Sequence, residues 1–287
     1  KLVGAQKVMA NELITIVAPA IRTKWWLELH DTFTTTNDTP FKMIFVGHVV
    51  PDFKLPDNFK YIYSRNTPAA CTEIAFRNVD TEYVMNIADD YDPSPQHFSP
   101  HLLDKLLDEH KRVESLGIEH FFVGPSFCLG PQEEFKTAIP LIYWNEDHKS
   151  PLLTLSPLTK LKTNRLLGGV DSSFHSMYWD TDLNMRLYAI GGQAKVMGMK
   201  FKNDIWSEDQ DSGEFIRVTE RDVTEGRSSM KELGLLPLSL RNRNFDNRHF
   251  RRLWNPVPHG TTLEDGRHYV NNCQRNSPFV PFPKDLK

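Results

Sequence analysis

Apolar residues along this chain gather in short runs separated by stretches with a three-to-four residue rhythm, the pattern of buried strands alternating with amphipathic helices. Leu13-Ile14-Thr15-Ile16-Val17-Ala18-Pro19 and Phe41-Lys42-Met43-Ile44-Phe45-Val46-Gly47 are β-branched and aromatic runs stopped by proline and by glycine, and both predict buried strands. Between them, Trp25, Trp26 and Leu29 fall at helical spacing, so residues 21–33 predict a helix that runs into a Thr-rich turn at Asn37 and Asp38. Residues 60–64 predict a third strand, 72–79 a helix and 82–88 a fourth strand. Beyond these, 101–115 predicts a helix whose Leu102, Leu103, Leu106, Leu107 and Val113 form one apolar stripe. A strand at 119–123, a loop-dominated stretch over 124–159, a helix at 180–189 and an extended segment at 194–201 complete the reading. Alternation of this kind, with no internal repeat, predicts an α/β fold.

The fourth strand ends in an acidic cluster, Val84-Met85-Asn86-Ile87-Ala88-Asp89-Asp90-Tyr91-Asp92. Carboxylates crowded at a strand end repel one another unless a cation or hydrogen-bond donors neutralise them, and hard oxygen ligands favour Mg²⁺ or Mn²⁺ over zinc. The same residues also fit an acidic turn leading into Pro93-Ser94-Pro95. In open α/β sheets, ligand sites collect at the carboxyl ends of the strands, which is where this cluster falls.

Composition narrows the classes. With 287 residues, 39% hydrophobic and 25% charged, a sizeable core is expected, and a formal net charge of -3 leaves no global footprint for nucleic acid, so no nucleic-acid recognition is expected. Cys71, Cys128 and Cys273 are odd in number and widely spaced, which argues against a disulfide framework or a zinc site and fits a reducing, cytoplasmic setting. No apolar run approaches the roughly 20 residues of a membrane span, and no signal peptide is visible, so a soluble protein is expected.

A second constellation follows downstream: Gly168-Gly169-Val170-Asp171-Ser172-Ser173-Phe174, then Trp179-Asp180-Thr181-Asp182-Leu183-Asn184-Met185-Arg186-Leu187, then Gly191-Gly192. In order and spacing, the two constellations together resemble family 2 glycosyltransferases of the GT-A fold. There a DxD-like motif precedes a Gly-Gly-Phe-Asp-like turn and a Glu-Asp-x-Asp-Leu-like helix start, with an Arg one turn on. The resemblance covers roughly Leu13 to Phe201. It implies a GT-A (Rossmann-like) single-domain fold with a mixed, mainly parallel central sheet flanked by helices. Residues 1–235 would form the catalytic domain, and 236–287 a basic, Pro-containing extension packing on it.

The activity so implied is metal-dependent, inverting transfer of a sugar from a nucleoside-diphosphate donor to a hydroxyl of a glycan, lipid or small-molecule acceptor. By position, Asp180 matches the catalytic base. Asp90 and Asp92 would hold Mn²⁺ or Mg²⁺, while Pro19, Arg22, Arg65, Asp89, Asp90, Gly168 and Gly169 would contact the donor. Asp171, Asp182 and Arg186 would support the site, the last two pairing along one helical face. Asp90 and Asp180 would face each other across one pocket.

Several positions depart from the family's pattern. Val46-Gly47-His48-Val49-Val50-Pro51-Asp52 puts an acidic residue later than the base-holding position, Pro68 interrupts the glycine pattern after Arg65-Asn66, and Trp179 stands where Glu is usual. Acceptor contacts are expected in 124–162, around Tyr143-Trp144-Asn145-Glu146-Asp147-His148. Arg241, Arg243, Arg248, Arg251 and Arg252, clustered around Phe245, Phe250 and Trp254, make a peripheral membrane contact through Arg241–Arg252 a further expectation. Two competing readings are a nucleotidyltransferase acting on sugar phosphates, for which Ala18-Pro19-Ala20-Ile21-Arg22 is a poor phosphate loop, and a non-catalytic glycan-binding protein of the same fold.

Overall fold

A computed structural model of the chain describes residues 12–95, 98–129, 139–140, 152–197, 199–202, 205–208, 217–220, 239–255 and 274–275. Five strands and three helices open the chain: β1 (Ile14–Pro19), α1 (Trp26–Thr36), β2 (Phe41–Gly47), β3 (Phe59–Tyr63), α2 (Pro68–Arg77), β4 (Tyr83–Asn86), α3 (Leu102–Ser115) and β5 (Phe121–Gly124). There follow β6 (Leu158–Lys160), α4 (Leu161–Leu167), α5 (Trp179–Ala189), β7 (Gln193–Val196) and a last helix, α6 (Ser239–Leu253).

The seven strands make one sheet in the order β7-β5-β6-β4-β1-β2-β3. All neighbours are parallel except β6, which runs antiparallel to β4 and β5. This is the mixed, mainly parallel sheet expected of the GT-A fold. Its central strands are covered on both faces, which explains why β1 and β2 are continuous apolar runs with hardly any polar alternation.

Helices supply the cover through single apolar stripes. α1 buries Trp26, Leu29, His30 and Phe33, with the Trp26 ring edge-on to Phe45 of β2 at 5.4 Å between centroids. α3 buries Leu102, Leu103, Leu106, Leu107, His110 and Val113, the stripe visible in the sequence. α2 starts earlier than its apolar rhythm indicates, because Thr67 caps it through Ala70 N and Pro68 occupies the first turn, where a missing N–H costs nothing.

Three differences from the sequence reading have physical causes. Strand β6 is only three residues long and lies in a Pro- and Ser-rich stretch; its partners on both sides, and not its own pattern, make it a strand. The extended segment expected over 194–201 divides into β7 and a hairpin strand at Met199–Lys202 that pairs with Ile205–Glu208. The Arg-rich stretch is a helix, α6, with Asp246, Phe250, Leu253 and Trp254 turned into the protein. The domain boundary expected at 235 and the loop around Tyr143–His148 lie outside the described residues. So do most of 255–287 and the side chains of Arg241 and Arg243. Among the described residues, no helix is long and apolar enough to cross a membrane.

The topology creates a switch point at the carboxyl end of β1, where the chain goes to β2 on one side and β4 lies on the other. Gly47, which ends β2, belongs to this edge. A Cβ there would sit 1.8 Å from the Ala20 carbonyl oxygen, so only glycine lets the loop after β1 lie against the end of β2.

Candidate functional site

The acidic cluster after β4 meets the loop after β1. Asp89 is 1% exposed, and its Oδ2 accepts hydrogen bonds from Ile21 N at 2.6 Å and Arg22 N at 2.7 Å, with Trp26 Nε1 at 3.3 Å. Its Oδ1 pairs with the Arg22 guanidinium at 2.7 Å. The same guanidinium reaches Asp90 Oδ2 at 3.1 Å. Arg22 therefore neutralises both carboxylates, and Asp89 fastens the loop between β1 and α1. Asp92 turns back on its own chain, accepting from Ser94 N at 3.0 Å and Ser94 Oγ at 2.7 Å. This is the short polar turn that Asx residues favour.

The Gly-Gly turn is built by α4 and anchored by α2. Gly168 and Gly169 both lie in the left-handed region, at φ 87° and 74°, a conformation a side chain would strain. Val170 N then donates to Glu73 Oε2 at 2.8 Å, holding the turn to α2. Burial pushes the Glu73 carboxyl up, opposed by Arg77 and by the Val170 amide. Asp171 closes a small turn of its own onto Ser173 N at 2.9 Å.

α5 begins after Tyr178, which takes the left-handed conformation at φ 65°. Asp180 and Asp182 both fall in its first turn, where a negative charge suits the helix dipole. Their surroundings differ. Asp182 is fully buried and bonded to Arg186 Nε at 2.9 Å and to Trp254 Nε1, also at 2.9 Å. Arg186 in turn donates to the Leu167 carbonyl, tying α5 to α4. Asp180 is half-buried and its Oδ1 accepts from Thr181 N at 2.7 Å. Burial pushes its carboxyl above the ordinary carboxylate range, with the Thr181 amide pulling the other way.

A small pocket opens beside Asp180, bounded by Asn86 at the end of β4, Thr154, Asn164 of α4, and Trp179 and Asn184 of α5. Asn184 is locked there, accepting from Thr154 N and Oγ1 and donating to Thr154 O and to Asp180 O. Asp180 thus sits beside the β4 edge, but Asp90 is not among the residues lining this pocket. Pro19 is half-buried at the end of β1, and Arg65 is exposed in the loop after β3. Each of the three carboxylates of the cluster has protein donors, and among the described residues no group of three His, Cys, Asp or Glu side chains gathers around one point.

Two anchors escaped the sequence reading. Asp246, on α6 and 0% exposed, accepts from the backbone amides of His175 at 2.9 Å and of Ser176 and Met177 at 3.0 Å each. Trp254, just past the same helix, reaches Asp182. α6 thereby fixes the loop that leads into α5 and the helix start itself. A signal for Asp246 is present in the sequence: it is the one carboxylate in the Arg-rich run 239–253.

Fold and site together define an α/β protein whose carboxylates and amides meet at the carboxyl edge of a mainly parallel sheet. No protein-family model and no curated protein matches the sequence. Among solved structures, a crystal structure of residues 1–349 of S. aureus TarS is similar over 83% of this chain and 72% of that one, with 13% identity and a TM-score of 0.43. A longer TarS crystal structure is similar over 83% of this chain and 44% of that one, with 14% identity and a TM-score of 0.45. The bifunctional IspDF of Campylobacter jejuni is similar over 72% and 54% respectively, with 14% identity and a TM-score of 0.36. This chain thus spans less than half of the longer TarS structure and about half of IspDF. These likenesses carry no residue role and no activity to this chain.

Proposed function

We propose that this chain is an inverting glycosyltransferase that moves a sugar from a nucleoside diphosphate to a hydroxyl acceptor, with Asp180 as the general base. The observation that supports this best is Asp180 itself: a carboxylate at the first turn of α5, near the carboxyl end of β4, with its proton affinity raised by burial. A base of raised pKa accepts a proton more readily near neutral pH than an ordinary aspartate. In the reaction the acceptor oxygen forms its bond to the anomeric carbon as the bond from that carbon to the diphosphate oxygen breaks. The acceptor's proton goes to Asp180, and the departing diphosphate carries away the electron pair.

Among the described residues, Arg22, paired with Asp89 and Asp90, and Arg65 are cations near the same edge that would meet the diphosphate, and the left-handed Gly168-Gly169 turn permits close approach of backbone to the donor. Asp90 and Asp92 would hold Mg²⁺ or Mn²⁺, which would neutralise charge on the leaving group. Asp90 would then share its carboxylate with Arg22, and Asp92 its own with Ser94. The nucleotidyltransferase reading is disfavoured because two amides of the loop after β1 are given to Asp89, where a phosphate loop would aim them at the nucleotide.

The test is a screen of nucleotide sugars for donor hydrolysis and transfer, with and without Mn²⁺ or Mg²⁺, with Asp180→Asn as the control. Asn retains the size and much of the hydrogen bonding but cannot take the proton, so turnover should fall by about 10² to 10⁴ while donor affinity is kept. Turnover of Asp180→Asn within a few-fold of the unaltered chain moves the base to Asp171, since Asp182 is buried against Arg186 and Trp254. No turnover with any donor leaves a non-catalytic glycan binder.

A further inference from the structure

The pocket beside Asp180 contains an anomaly that general-base chemistry does not use. Asn164, on α4, lines it and is 1% exposed, yet neither its Oδ1 nor its Nδ2 has a hydrogen-bonding partner among the described residues. Its two neighbours in the same lining are engaged. Asn184 is bonded at both ends of its amide, and Asn86 donates to the Leu155 carbonyl at 3.3 Å. Buried polar groups are almost always satisfied, and a buried amide that protein atoms leave open beside other polar groups is commonly satisfied by ordered water.

Size decides what fits. The cavity volume is about 10 Å³, room for about one water molecule and far too little for a sugar ring. Asp180 is the one titratable side chain among the residues lining it. We infer that this pocket holds a single ordered water bonded at once to the Asn164 amide and the Asp180 carboxylate, and that Asn164 is a positioning residue for Asp180. Asn164 sets the water's orientation by offering both a donor and an acceptor. The consequence for turnover rests on Asp180 being the base; the water itself does not.

Two measurements made without donor or acceptor test the inference. In a high-resolution crystal structure of the unaltered chain, density for a water within hydrogen-bonding distance of both Asn164 and Asp180 supports it; no such density overturns it. In a ¹³C carboxyl titration, with the Asp180 resonance assigned through Asp180→Asn, Asn164→Leu should move the Asp180 midpoint up by about one pH unit. The ionised form would have lost its buried hydrogen bond, while Asn164→Ser, still able to bind the water, should hold the midpoint in place. A dry pocket would respond differently: Asn164→Leu would raise the Tm and leave the midpoint fixed, and that pair of results overturns the inference. Should the Leu variant not fold, the crystal structure of the unaltered chain still decides. With a confirmed acceptor, Asn164→Leu should also lower turnover about tenfold at unchanged donor KM, the size expected for about one unit of mis-set proton affinity. A shifted midpoint with unchanged turnover would keep the water and refute Asp180 as the base.

Discussion

Asp89 to Asp92 and Asp180 to Asp182 offer the same thing along the chain, acidic residues packed within four positions of one another at the end of one element or the start of the next. In three dimensions they part company. Asp89 is filled by two backbone amides, an indole and a guanidinium, and Asp182 by a guanidinium and an indole. Both are buried fasteners, each joining segments distant in sequence. Asp180, two positions from Asp182, has its burial opposed by the amide and hydroxyl of its neighbour Thr181, and it is among the residues lining a small pocket. What separates the two carboxylates of α5 is where their donors come from: Asp182 is held by a guanidinium one turn on and an indole 72 positions away, Asp180 by its own neighbour Thr181. Charge density along the chain does not reveal that difference.

The largest effect that would sharpen this contrast is on stability. Asp182→Ala leaves the buried Arg186 guanidinium and the Trp254 indole without their carboxylate, and should cost on the order of 3–5 kcal/mol in urea unfolding. Asp180→Asn, by contrast, should cost nothing or stabilise at neutral pH. If Asp180→Asn cost as much as Asp182→Ala, the two carboxylates would be equivalent and the contrast would fail.

A second, intermediate effect lies in the pH dependence. The folded-state pKa of Asp180 is raised above its ordinary 3.8, so the folded chain holds that proton to higher pH than the unfolded chain does. The group therefore favours folding at acid pH, and this contribution is lost as pH rises from the ordinary value through the folded one. Asp180→Asn and the unaltered chain should have matching Tm values in acid, with the Asn variant gaining the advantage as neutrality is approached. A Tm difference that stays flat with pH would remove the burial argument. In kcat/KM, the acid limb should lie above the usual carboxylate range.

The smallest effect concerns Asp92. Its bonds to Ser94 are local and only partly buried, so Asp92→Ala should cost within about 1 kcal/mol of stability. If Asp92 holds a divalent ion, the same variant and an added chelator should both weaken nucleoside diphosphate binding in calorimetry. Binding indifferent to both would leave Arg22, clamped between Asp89 and Asp90, as the cation that faces the diphosphate.

Much of the sheet was legible from the chain because strands covered on both faces must be apolar throughout, as at Ile14–Pro19 and Phe41–Gly47, and α3 was legible because one apolar stripe sufficed to seat it. What could not be read was whatever depends on distant partners. β6 is a strand because β4 and β5 flank it, and α6 is mostly polar, held by Asp246, Phe250, Leu253 and Trp254. In the site, the order of motifs pointed to Asp180 and to the Asp182–Arg186 pair. The engagement of Asp89 was hidden because Ile21, Arg22 and Trp26 come more than sixty positions earlier. Asn164 was hidden for a further reason, since an asparagine in a helix carries no sign that its amide will be left open.

The clasp made by Asp246 and Trp254 has a consequence in time. During synthesis β1 to β5, α5 and β7 can leave the ribosome and assemble their sheet before either residue exists, but the amides of His175, Ser176 and Met177 have no carboxylate to bind until α6 follows. The nascent chain thus acquires its scaffold before the clasp that sets the start of α5. A half-made protein would hold the Asp180 helix start without the contact that fixes its approach, and that start would be set only once the later-made segment had folded back onto the earlier one.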